Sequence, residues 1–127
     1  MKQNYNSKNC LAIVAAMAFE EMVEYVQLFF RSDEVTEASV SDFIEYAKSK
    51  GRYVGHIFSR PKVYFNKIIQ AYDINNNPAL VIVTSRYNAE NQHALYWNGS
   101  KIMDPDPGVP DGKSFSEYNI LAWLPIN

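Results

Sequence analysis

"QHALYWNGSKIMDPDPG", residues 92–108, holds two short apolar runs around Asn98-Gly99, with His93 at one outer end and Asp104 near the other. Asn-Gly is the strongest short-range hairpin signal, because a type I′ turn requires positive φ at both central residues. With those two residues as the whole turn, Trp97 faces Ser100, Tyr96 faces Lys101, Leu95 faces Ile102, Ala94 faces Met103 and His93 faces Asp104. Opposed side chains have Cβ atoms about 4.5–5.5 Å apart, within reach of a carboxylate–imidazole hydrogen bond. Alternation puts Leu95 and Ile102 on the same face as that pair, so the face is apolar except at its open end and is expected to pack on a helix. Pro105 restricts Asp104 to extended backbone and opens a turn-rich stretch, so the ladder is expected to end at the aspartate.

Working outward, "ALVIVTS" before the hairpin and "ILAWLPI" at the end of the chain read as two further strands. "SFSEY" is expected to form a turn of helix between them, with Ser114 and Glu117 at capping-box spacing. Helices come first in the chain. Residues 10–31 lack Gly and Pro and predict one long helix, apolar on every side in its first half and wetted by Glu20, Glu21, Glu24 and Gln27 later. Its N-terminal end is therefore expected to lie deep in the fold. Val40, Phe43, Ile44 and Ala47 predict a second helix, with Ser39 and Asp42 as its capping box and Gly51 as its stop. Phe65, Ile68, Ile69 and Tyr72 repeat the spacing and predict a third, started near Ser59 and Pro61 and ended by "DINNNP". The order is helices followed by a small antiparallel sheet, an α+β fold.

With 127 residues, the chain is expected to form a single domain, residues 1–127, long enough to bury roughly two-thirds of its unfolded surface. Twelve basic against fourteen acidic residues, a formal net charge of −2, argue against a nucleic-acid protein held by its overall field. The opening "MKQNYNSKNC" lacks signal-peptide order, and the run "CLAIVAAMAF" is too short to span a bilayer. A single cysteine permits no intrachain disulfide and no site built on several thiolates. A soluble, cytoplasmic protein without a membrane partner is expected.

That cysteine, Cys10, stands at the start of the first predicted helix. A lone Cys beside an apolar run usually behaves as a small buried hydrophobe. Asn9 and Ser7 are capping-type residues, however, and would place Cys10 in the first helical turn, where the helix dipole favours a thiolate. The same turn presents unpaired N–H groups able to stabilise an oxyanion, and Gln3, Asn4 or Asn6 could add a side-chain donor. Nucleophile, base, orienting carboxylate and oxyanion donors are each common; together they form a catalytic set.

The order "NCLAIVAAM … PALVIVTS … QHALYWNGSKIMDPDPG … LAWL" resembles the papain-like cysteine peptidases, especially the compact bacteriocin-processing, double-glycine type. The resemblance covers residues 9–124, and its specific part is Cys10, His93 and Asp104-Pro105. It implies a papain-like fold with a long central helix on the sheet. It also implies Cys10 as nucleophile, His93 as general base and acid, and Asp104 as the residue orienting the imidazole. The family's oxyanion glutamine usually lies six residues before the cysteine; that place holds Asn4 here, with Gln3 one position further away, and Leu11 stands where the family often has Gly.

Other chemistry-bearing residues read more plainly. His56 in "GRYVGHIF" has no adjacent orienting group and reads as structural or exposed. Glu20, Glu21 and Glu24 look like a solvated helix side rather than a glycosidase pair. Asp104, Asp106 and Asp111 are separated by prolines that disrupt EF-hand spacing, so no metal is expected. "SRPKVYFNK" is no more a partner surface than an ordinary helix start. The expected activity is hydrolysis of a peptide, isopeptide or related amide bond in a peptide or protein substrate by Cys10, His93 and Asp104, without a cofactor. The alternatives are a transferase or deamidase using the same triad, and a catalytically weak or inactive papain-like scaffold acting as a protein-binding factor of viral or mobile-element type.

Overall fold

The computed structural model describes residues 1–3, 9–31, 34–55, 68–69, 73–88 and 90–127. Within them the fold is α+β: three helices, α1 (Cys10–Phe19), α2 (Val23–Phe29) and α3 (Glu37–Ser49), precede a four-stranded antiparallel sheet. The strands are β1 (Ala79–Thr84), β2 (Gln92–Trp97), β3 (Ile102–Met103) and β4 (Ile120–Pro125), arranged β3-β2-β1-β4. A 3₁₀ turn, Phe115–Glu117, leads into β4, and the Ser114 side chain accepts from the Ser116 N–H at its start. Most of the expected third helix, together with His56, lies outside the described residues; Ile68 and Ile69 are helical.

The sheet is covered on both faces. Leu80, Ile82, Ala94, Ala122 and Leu124 share a core with α1, whose residues Cys10 through Ala16 are all buried. On the other side, Val81, Leu95, Trp97, Ile102 and Trp123 pack with Ile68 and Phe115. β1 lies in the middle and is buried on both faces, so it reads as a continuous apolar run rather than an alternating one. β4 is an edge strand, which is why it tolerates Pro125. Among the described residues, no helix is long and apolar enough to cross a membrane.

Three local expectations are corrected. The helix predicted over 10–31 is two helices: Glu20 adopts the left-handed conformation (φ 55°, ψ 47°), and its N–H returns to Ala16 O. The break serves packing against α3, where the Phe19 ring lies 5.5 Å from Phe43 and Phe29 lies 5.2 Å from Tyr46. Glu21, next to the break, pairs with Lys50 just beyond α3. These contacts outweigh the small propensity advantage of a continuous helix.

The capping box of α3 is Thr36 and Ser39, one turn earlier than the expected Ser39 and Asp42. Thr36 Oγ1 accepts from the Ser39 N–H at 3.2 Å, while Ser39 Oγ accepts from the Thr36 N–H at 2.7 Å. Asp42 instead accepts from the Arg31 backbone and side chain, with Nη2–Oδ1 at 2.9 Å, and the Arg31 hydrogen bond holds its carboxyl below the ordinary range.

The hairpin pairs Tyr96 with Met103 and Trp97 with Ile102, two positions away from the register expected for a two-residue turn. The connection is a four-residue loop in which Asn98 Oδ1 accepts from the N–H groups of Ser100 and Lys101, both at 2.9 Å. Gly99 has φ of +97°, whereas Asn98 does not have positive φ, so the type I′ turn does not form. A Cβ on Gly99 would lie 2.9 Å from Asn76 Cα, and Gly99 O accepts from the Asn76 N–H at 2.8 Å. The glycine is needed for a tertiary approach of two backbones as well as for the turn.

Candidate active site

Cys10 is the first residue of α1 and His93 the second residue of β2. Asp104 follows β3 directly. By alternation His93 shares the side of Leu95 and Trp97, while Cys10 belongs to the core on the side of Ala94. They come together at the end of the sheet, where the imidazole hydrogen-bonds to Asp104 and lies within electrostatic reach of Cys10. Nε2 faces Asp104 Oδ1 at 2.7 Å, leaving Nδ1 as the ring nitrogen for the sulfur.

The even register shift explains why a wrong pairing still predicts a correct contact. Moving the hairpin by two residues keeps every side chain on its expected face. Extending the observed register puts Asp104 opposite Leu95, so it reaches His93 along the diagonal.

Asp104 is nearly sealed: its side chain is 1% exposed, against 18% for His93. Burying a carboxylate is costly unless its oxygens find donors. Oδ1 also accepts from the Asp106 N–H at 2.9 Å, and Oδ2 accepts from the Tyr118 hydroxyl at 2.8 Å. Burial raises the Asp104 pKa, but the His93 hydrogen bond and charge, with the other two donors, bring it below the ordinary value. Burial likewise works against protonated His93, yet the hydrogen bonds and charges of Asp104 and Cys10 push its pKa up to about 10. The carboxylate thus stabilises the protonated form of the ring relative to the neutral one.

The Asn9 side chain makes no cap hydrogen bond at the start of α1. Asn9 occupies the cap position, as expected, but its amide points at Gln27 Oε1, 3.4 Å away. The first hydrogen bond of the helix runs from the Ile13 N–H to Asn9 O, so the N–H groups of Cys10 and Leu11 have no carbonyl within the helix to bond. Of the oxyanion candidates, Gln3 is buried beside the site, its N–H donating to Pro105 O at 2.7 Å. Asn4 and Asn6, like Ser7, lie outside the described residues. Lys2 anchors this approach by donating to Asp104 O at 2.6 Å and Val109 O at 2.7 Å and pairing with Asp111 at 2.8 Å.

Tyr118 and Lys2 were not legible as site residues. Tyr118 closes the "SFSEY" turn signal and Lys2 lies in the polar opening stretch, but each reaches Asp104 only through the tertiary fold. Asp106, weighed in the sequence as a cation ligand, closes the turn after Asp104 by accepting from the Gly108 N–H at 2.9 Å. Among the described residues, no three His, Cys, Asp or Glu side chains converge as a metal site. A pocket of about 120 Å³ opens beside His93, lined by Thr84, Ser85, Arg86, Glu117 and Tyr118 among others; Cys10 is not part of its lining.

No family model matches the chain, and no curated protein matches it.

Proposed function

We propose that this chain is a papain-like thiol hydrolase that cleaves a peptide, isopeptide or related amide bond through Cys10, His93 and Asp104. The observation that carries the reading is His93 hydrogen-bonded at 2.7 Å to a carboxylate buried to 1% exposure, with a cysteine at a helix N-terminus within its electrostatic reach. Three groups of these types, brought from distant parts of the chain, supply the kinds of side chain that a nucleophile, a base and an orienting acid need.

In the proposed reaction His93 takes the Cys10 proton, and the sulfur attacks the carbonyl carbon to form a C–S bond. The oxyanion is received by the N–H groups in the first turn of α1, which have no partner carbonyl within the helix. As the C–N bond breaks, His93 returns the proton to the leaving amine. A water deprotonated by His93 next attacks the thioester, releasing the acid and regenerating the thiol. The chemistry draws on no cofactor, and a single free thiol suits a reducing, cytoplasmic setting.

The 4% exposure of Cys10 favours a second reading, a papain-like scaffold that binds a protein without turning over a substrate. Alkylation and turnover separate the two. Cys10→Ala and His93→Ala are each expected to abolish hydrolysis of an activated thioester while leaving the circular dichroism spectrum intact. Unchanged turnover in either purified variant rules the triad out, and a thiol inert to iodoacetamide in the folded protein selects the scaffold. Product mass distinguishes hydrolysis from amine transfer or side-chain deamidation.

A further inference from the structure

We infer that Tyr118 is a positioning residue, which holds Asp104 as an ionised acceptor with its Oδ1 edge turned to His93. The inference deepens the triad reading and rests on it for its catalytic meaning. Asp104 has two oxygens in a nearly water-free place, and the described structure divides its donors between them. Oδ1 receives His93 and the Asp106 N–H, whereas Oδ2 receives the Tyr118 hydroxyl at 2.8 Å.

The division matters because the terminal torsion of an aspartate is broad and does not set the carboxylate plane by itself. A donor on the second oxygen pins that plane and compensates charge that burial would otherwise neutralise. Tyr118 is itself well fixed. Its N–H donates to Phe115 O at 3.1 Å, closing the 3₁₀ turn before β4. Phe115 stacks on Trp97 and Trp123 at 5.1 and 5.7 Å, so the hydroxyl is tied to the aromatic core rather than to the hairpin. The hydrogen bond then joins the start of β4 to the end of the hairpin exactly where the ladder stops supporting Asp104.

The charged groups around Asp104 are accounted for. His93 is the cation on its carboxylate. Lys2 donates to its backbone oxygen but is balanced by Asp111, which also accepts from the Asp104 N–H at 3.3 Å. Asp106 accepts from the Gly108 N–H, and its charge acts on the Tyr87 hydroxyl. Arg86 and Glu117, of opposite sign, both act on Tyr118, Arg86 lowering and Glu117 raising its phenol pKa.

The test compares the full-length wild type with Tyr118→Phe, which keeps the ring and removes the donor. Asp104 ionisation is read by carboxyl ¹³C NMR, and Cys10 reactivity by the rate of iodoacetamide alkylation against pH. The carboxyl midpoint is expected to rise by about one pH unit, with the acid limb of the alkylation profile moving in the same direction. Site-specific 3-fluorotyrosine at position 118, a more acidic donor, is expected to move the carboxyl midpoint downward, which keeps the test available should the Phe variant not fold. A merely structural role would lower the melting temperature and leave the midpoint where it was. An unmoved midpoint in folded Phe variant or fluorotyrosine protein overturns the inference. A wild-type Cys10 that alkylates like an ordinary thiol counts against the hydrolase instead, while the carboxyl titration still decides the role of Tyr118.

Discussion

Asp104 Oδ1 meets His93 Nε2 at 2.7 Å along a diagonal of the hairpin. The carboxylate is fixed from three directions, by the Asp106 N–H, the Tyr118 hydroxyl and the imidazole itself. Replacing it with the neutral isostere, Asp104→Asn, removes the charge that holds the imidazolium and presents an amide to the ring. Turnover of the thioester substrate is expected to fall by on the order of 10²–10⁴-fold, with a smaller change in KM. Steady-state kinetics across pH check this, and an unaltered kcat would show that Asp104 does not orient the base.

The same contact makes stability depend on pH, with a definite sign. His93 has a raised pKa, so its contribution is complete below about pH 6.5 and is lost as pH climbs through about 10. Asp104 has a lowered pKa, so its contribution is present above the ordinary 3.8 and is lost as pH falls through the depressed folded value. These are two views of one interaction and are counted once. The stability difference between wild type and Asp104→Asn is expected to be largest between about pH 4 and 6.5 and to shrink on both sides. Urea unfolding from pH 3 to 11 measures it.

Gly99 and Gly112 both have positive φ, +97° and +84°, but only Gly99 is crowded, with Asn76 Cα 2.9 Å from the place a Cβ would take. Gly112→Ala carries backbone strain alone, of about 1 kcal/mol. Gly99→Ala adds a backbone clash and is expected to cost about 2–4 kcal/mol. Thermal melts of the two variants should separate by several degrees; equal losses would contradict the close approach of the two loops.

Leu80 on β1 is fully buried, whereas Leu28 on α2 is 86% exposed. Leu80→Ala should cost about 2–5 kcal/mol from lost burial and the cavity left behind, and Leu28→Ala less than about 0.5 kcal/mol. Denaturant midpoints decide between them.

At the start of α3, Thr36→Ala should cost about 1 kcal/mol by exposing helix N–H groups. Asp42→Asn leaves the cap intact and weakens only the contact with Arg31. If Asp42→Asn instead melted the first turn of α3 and Thr36→Ala did not, the cap would lie where the sequence pattern first put it. Chemical shifts of residues 37–40 report this directly.

What the chain itself determined was carried by short-range periodicity and side. The continuous apolar runs of Cys10–Ala16 and of β1, the apolar face of the helix around Phe43, and the placement of His93 and Asp104 on one face follow from unbroken apolar stretches or from repeats of 3.6 or 2 residues. Those repeats are properties of the backbone and need no distant partner. An even error in register left the His93–Asp104 prediction standing for that reason. What needed the tertiary structure was every feature settled by a partner far along the chain. Glu20 breaks a helix because Phe43 and Tyr46 wait for Phe19, and Asn98-Gly99 gives up its preferred turn because Asn76 lies against Gly99. Tyr118 reaches Asp104 from fourteen residues away. Local preferences amount to a few tenths of a kcal/mol to about 1 kcal/mol per residue, and buried rings or a satisfied buried carboxylate outweigh them.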